Sequence, residues 1–151
     1  MSSLLTIGYS SGMSAPAFLI HSLDSAAKQV HAVFTGINGD LWNHQVVPEA
    51  MSPIQTATHL AHCYTAFLAE AAGEHWDWSK PFELGTSEPG EALNKMNSLR
   101  NEAIDVLKST SDEAVITKAV DFLLMHDCYH VGQMAIFRMN TDPSWDPYSL
   151  Y

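Results

Sequence analysis

Two histidines, His126 and His130, stand four residues apart in the run His126-Asp-Cys-Tyr-His130. On an α-helix four residues turn through about 400°, so both imidazoles leave one face roughly 6 Å apart at Cβ. That spacing lets two rings share one metal ion at bond lengths of roughly 2.0–2.1 Å. Cys128 projects about 200° away from His126 and is not expected to join them. The pair lies in line with Leu123, Met134 and Phe137, which aims it at a core rather than at water. Two imidazoles buried side by side need compensation, and a cation supplies it. A third ligand has to come from another helix. His59, which tracks with Cys63 and Phe67, is the first candidate, and His62 is its competitor. The plain alternative for His62 is a core imidazole bonded to a carbonyl. His21 and His31 read as surface or core-edge residues, and His44 and His75 fall in loops.

Four helical segments position these side chains, and nothing reads as a strand ladder. The first spans about Ser14 to Ile37, with Leu19, Leu23, Ala27, Val30, Phe34 and Ile37 at three- and four-residue steps. Ser14 is its expected N-cap, and Gly36 and Gly39 lie where it should stop. The second starts at Ser52, with Pro53 at the first helical position and Gln55 completing a capping box. It runs to about Ala72 and stops at Gly73. Glu74 to Pro89, with Trp76, Trp78, Pro81 and Gly85, is a long connection. The third helix spans roughly Gly90 to Leu107, with Leu93, Met96, Arg100, Ala103, Ile104 and Leu107 on one side. The fourth starts near Thr110, where Glu113 can complete a capping box, and continues to about Asn140. A Trp- and Pro-containing tail is expected to fold back over the bundle end.

Helix arithmetic then constrains the topology. His59 lies about 10 Å from the start of helix two, and the His126–His130 pair lies nearer the end of helix four than its start. The levels match when helices two and four run antiparallel. An up-down-down-up bundle achieves this, and it needs a long crossover between helices two and three. The Glu74–Pro89 connection is long enough to provide it.

Bulk properties narrow the function. A chain of 151 residues fits a single domain, 1–151. Lys and Arg number 7 against 17 Asp and Glu, and the resulting charge of −10 repels nucleic acid and anionic membranes. No apolar run approaches the roughly 20 residues of a spanning helix. The first residues have neither a basic nor a long apolar region of the kind a secretory signal carries. Two cysteines make no disulfide framework, and a cytoplasmic location is the expectation.

The motifs also resemble a known family. Ser52-Pro-Ile-Gln-Thr-Ala-Thr-His59-Leu-Ala resembles the helix-two signature of the DinB/YfiT-like metalloenzymes. His126-Asp-Cys-Tyr-His130-Val-Gly-Gln133-Met-Ala-Ile-Phe-Arg138 resembles their more specific fourth-helix signature. The resemblance covers essentially the whole chain. It implies an all-α, up-down-down-up four-helix bundle, His59, His126 and His130 as metal ligands, and a homodimer. Members with assigned chemistry are thiol-dependent transferases or isomerases. The implied function is therefore a metal-dependent S-transferase or isomerase (a hydrolase is the nearby variant) acting on a small molecule with a low-molecular-weight thiol. The alternative is a non-catalytic metal- or small-ligand-binding bundle serving as sensor, store or dimerisation module.

Three imidazoles leave an open position on a metal, where a water or thiol loses its proton more readily. Zn or Ni comes first for such a set, with Fe, Mn, Cu and Co behind. Asp127, beside His126, can orient a ligand or take a proton; the alternative is a solvated surface Asp. Gln133 is a candidate donor beside the ligands. Arg138 could bind a carboxylate of the thiol or complement the helix C-terminus. Trp42, Trp145 and Tyr148 are candidates for an apolar lid or for plugs at the bundle end. Gly132 is expected to mark close helix packing. A di-iron carboxylate site is disfavoured because helix four lacks Glu-x-x-His, and a zincin site because Asp127 stands where its Glu would be.

Overall fold

A computed structural model of the chain describes residues 15–151. Its helices are α1 (Ala17–Phe34), α2 (Pro53–Ala71), α3 (Pro89–Ser109), α4 (Glu113–Ala119) and α5 (His126–Thr141). A widened π turn, Val120–Met125, joins α4 to α5, so the two form the single fourth helix read from the sequence. Among the described residues there is no strand.

Local chemistry explains most of the boundaries. Ser52 caps α2 with both halves of the capping box in place: Gln55 N–H donates to Ser52 Oγ at 3.4 Å, and Ser52 N–H donates to Gln55 Oε1 at 2.9 Å. Gly73, at φ 83°, takes the left-handed conformation just past the end of α2. The expected Ser14 cap lies outside the described residues, and α1 begins after Pro16. The Thr110–Glu113 capping box is not formed. Asp112 caps α4 instead, accepting from Ala114 N–H at 2.8 Å, while Thr110 Oγ1 accepts from Asp112 N–H. An Asp two residues before the first free N–H is a better acceptor there than a more distant Thr.

Cross-helix pairs set the relative directions. Down α2, Glu70 meets Lys118, and Cys63 and His59, two and three turns earlier, both meet His126. Numbers fall along α2 as they rise along the last helix, so the two run antiparallel. The backbone of α1 meets the same last helix at Leu23 and Thr35, through Arg100 beside Asp127 and through Arg138. These two therefore run in the same direction.

The core is built from the predicted stripes. Leu19, Leu23, Val30 and Phe34 of α1, Leu60 and Phe67 of α2, Met96, Ile104 and Leu107 of α3, and Leu123, Met134 and Phe137 of the last helix are all buried. The π turn falls within that last stripe. Past it, Asp127 shares the inner face of α5 with Val131, Met134 and Arg138, four, seven and eleven residues on and all buried. Asp127 is fully buried while His126 is half-buried.

The connection between α2 and α3 is pinned by aromatic packing. Phe82 stacks flat on His62 (4.6 Å, 2°), Trp78 stacks on Phe122 at 5.9 Å, and Leu84 O accepts from Lys95 Nζ. In the tail, Trp145 and Leu150 pack against the core, as expected for a segment that folds back.

Gly132 departs from expectation. A Cβ built there would meet nothing within 4 Å, and the residue is exposed, so it marks no close packing. Gly132→Ala should therefore raise stability by up to about 1 kcal/mol, the usual difference between the two residues inside a helix. The readout, taken at low protein concentration where the chain is monomeric, is a higher urea midpoint with an unchanged slope; a lower midpoint would mean that this helix face is covered within the chain.

Candidate metal centre

His59, one and a half turns into α2, and His126, at the start of α5, bring their Nε2 atoms to 2.9 Å. Cys63 lies one turn along α2 from His59, and its Sγ is 3.8 Å from His59 Nε2 and 3.6 Å from His126 Nε2. Donor atoms of His59, Cys63 and His126 all fall within 4.8 Å of one another. His130 closes the cluster, its ring centroid 5.0 Å from that of His59 and 4.8 Å from that of His126. It is buried, and neither of its ring nitrogens has a hydrogen-bond partner. An imidazole enclosed with both nitrogens unanswered is costly, and a bound cation would answer one of them.

The donor set fits a divalent metal. A tetrahedral ion with nitrogen bonds of roughly 2.0–2.1 Å and a sulfur bond of roughly 2.3 Å separates N from S by about 3.6 Å and N from N by about 3.3 Å. The two N···S distances match this, and the His59–His126 distance is shorter because one ring donates to the other.

Electrostatics keep the rings in their ligating form. Burial first, and then mutual repulsion with its neighbours, hold His59 below the usual imidazole range. Burial does the same to His126, and burial with His126 and His59 takes His130 down to about 4. All three are neutral at neutral pH, as a metal ligand must be. Cys63 is moved the other way. Burial, with the Asp127 carboxylate close by, pushes its thiol up to about 12, so it holds its proton when no cation is near.

Behind the cluster sits a buried polar network. Asp127 accepts from Tyr64 Oη at 2.5 Å and from Arg100 Nε at 2.9 Å, and Arg100 Nη2 also donates to Leu23 O at 2.6 Å. Asp127 is 0% and Arg100 3% exposed. The alternative of a solvated surface Asp127 is thus corrected: it lies on the buried stripe of α5, where Tyr64 and Arg100 meet it. Both of its oxygens are engaged, Oδ1 by Tyr64 and Oδ2 by Arg100.

Other candidates settle elsewhere. His62 is half-buried among aromatic rings; its Nε2 accepts from Trp76 Nε1 at 3.1 Å, so its partner is an indole donor rather than a carbonyl acceptor. Gln133 is exposed and donates to Tyr129 Oη at 2.8 Å. Arg138 is buried beyond the cluster, donating to Thr35 O, pairing with Asp142 at 3.3 Å and lying over Trp145 at 5.4 Å. These contacts tie α5 to the end of α1 and engage both Nη atoms of the guanidinium. Trp42 is buried against Phe34 (5.9 Å, 11°), Tyr148 is exposed, and neither forms a lid. His44 is exposed against Phe137, outside the cluster. Beside His59 opens a hollow of about 290 Å³ lined by Ile54, Gln55, Thr58, His59, His62 and Phe82.

Sequence reasoning passed over Cys63. The signal was present, since His59 and Cys63 have the same four-residue spacing as His126 and His130. Cys63 looked like a small core residue because nothing along helix two says which helix will face it.

A family model of the DinB superfamily matches residues 22–134. The chain belongs to the DinB superfamily. The DinB match takes in every member of the cluster, His59, Cys63, His126 and His130, and ends before Arg138. No curated protein and no solved structure gives a significant match. Among the described residues of this DinB chain, no helix is long and apolar enough to cross a membrane.

Proposed function

We propose that this DinB-superfamily chain is a metal-dependent enzyme whose ion is held by His59, His126 and His130, and that it carries out thiol-dependent S-transfer or isomerisation on a small molecule. The observation that carries the reading is the enclosed His130 ring, with both nitrogens unpartnered, beside two imidazoles from different helices. When bound, a divalent ion supplies a Lewis acid that favours the deprotonated form of a water or thiol.

The chain's own residues do the rest. Tyr64, Arg100 and Asp127 hold the first turn of α5, and with it the His126 ring. The hollow beside His59 admits a small molecule, and the flat Phe82–His62 pair forms one wall of it. No Lys or Arg lines that hollow, which suits an uncharged, partly apolar substrate. An up-down-down-up order places the histidines at one level. It is supported by the antiparallel pairing of α2 with α5 and by the three residues between α3 and α4, too few to recross the bundle. The free thiols of Cys63 and Cys128 fit a reducing, cytoplasmic setting.

One observation favours the second reading, a non-catalytic metal-binding bundle. Cys63 Sγ lies where it can crowd the position an enzyme would keep open.

Elemental analysis of tag-free protein tests the site. About one divalent ion per chain in wild type, lost in His59→Ala and His130→Ala, is the expected result. No ion after reconstitution with zinc, nickel and cobalt would end the metal reading.

A homodimer is part of the same proposal. Met125, Tyr129, Ile136 and Met139 form an exposed apolar stripe along the outer face of the last helix. Ile136→Asp should convert a dimer to monomer in light scattering. A wild-type monomer at high concentration would count against the dimer.

A further inference from the structure

We propose that Cys63 is a protein ligand of the same ion, so that the centre is a mixed imidazole–thiolate site selecting a thiophilic divalent metal. This rests on the metal-centre reading above and refines it.

Three observations converge on Cys63. Its sulfur is within 3.6–3.8 Å of the Nε2 atoms of both His59 and His126, the separation expected for nitrogen and sulfur on one tetrahedral ion. It is buried on the inner face of α2, one turn from His59, so no change of helix register is needed to present it. And it belongs, with His59 and His126, to a donor group whose ligand atoms all lie within 4.8 Å of one another. The other thiol, Cys128, is exposed on a different face of α5 and makes no such approach.

Ligation leaves the oxidation state unchanged. The Cys63 S–H bond breaks, its proton leaves to solvent, and the sulfur lone pair is donated to the metal. A thiolate changes which ion is held. Among divalent ions a sulfur ligand favours zinc and its surrogate cobalt(II), whereas Mg and Mn prefer oxygen. Mn, admitted by an all-nitrogen set, therefore drops out. With His59, His126 and His130 also bound, Cys63 completes four-coordination.

The test is titration of metal-free, reduced full-length protein with cobalt(II), followed by absorption. Wild type and Cys128→Ser should show visible ligand-field bands together with an intense near-ultraviolet thiolate-to-cobalt band. Cys63→Ser should bind cobalt but lose the near-ultraviolet band. Far-ultraviolet circular dichroism checks the fold of each variant, and Cys63→Ala replaces Cys63→Ser if the serine fails to fold. Cobalt bound by wild type without the charge-transfer band, or a band that survives removal of Cys63, overturns the ligand assignment and leaves the histidine site standing. No cobalt bound by wild type overturns both.

Discussion

Asp127→Ala is expected to lower the thermal midpoint by roughly 10 °C, corresponding to about 3–5 kcal/mol for a chain of this size. The cause is what the substitution leaves behind. Arg100 would stay buried with one remaining partner, the Leu23 carbonyl, and the Tyr64 hydroxyl would lose the group it donates to. An uncompensated buried charge is far worse than no charge, so the triple variant Asp127→Leu, Arg100→Met, Tyr64→Phe should recover most of the loss. Thermal unfolding followed by circular dichroism decides it. If Asp127→Ala moved the midpoint by only a degree or two, the carboxylate could not be the buried anchor described above. Metal content separates stability from function: in the triple variant, stable but lacking the network under His126, affinity for the ion should fall even though no ligand has been touched.

The second large effect is stabilisation by metal. An ion present at a hundredfold excess over its dissociation constant stabilises the folded state by about 2.7 kcal/mol, which raises the midpoint of a domain this size by roughly 5–10 °C. Wild type should show that rise with zinc, and a chelator should reverse it. His126→Ala should show none. The comparison isolates the site because His126 is only half-buried, so its truncation opens little core. A wild-type midpoint indifferent to zinc, nickel and cobalt would contradict the metal reading, whatever the histidines look like in the fold.

Much of this architecture follows from short-range rules. The Ser52–Gln55 capping box, Gly73 and the three- and four-residue apolar spacing act within a turn or two, so the helices they delimit could be read along the chain. The pairing of His126 with His130 is equally local. The antiparallel relation of helices two and four came from matching levels, a rise-per-residue argument that the structure reproduces through His59–His126 and Glu70–Lys118.

Other features depend on phase and neighbours. Asp127 faces inward on the same stripe as Val131, Met134 and Arg138, and that this stripe meets Tyr64 and Arg100 rather than water was decided by the helices packed against it. Arg138, a candidate for a carboxylate of the thiol, is claimed by Asp142 one turn on and by Thr35 and Trp145, and the last two lie in segments whose path back to it no local signal encodes. His62 went to an aromatic box built by the connection after α2. Cys63 entered the donor cluster only when α5 was laid against α2. Periodicity and capping are properties of one helix, legible from its own residues. Which groups meet across helices is a property of packing register, which arises only when the cores of several helices interlock.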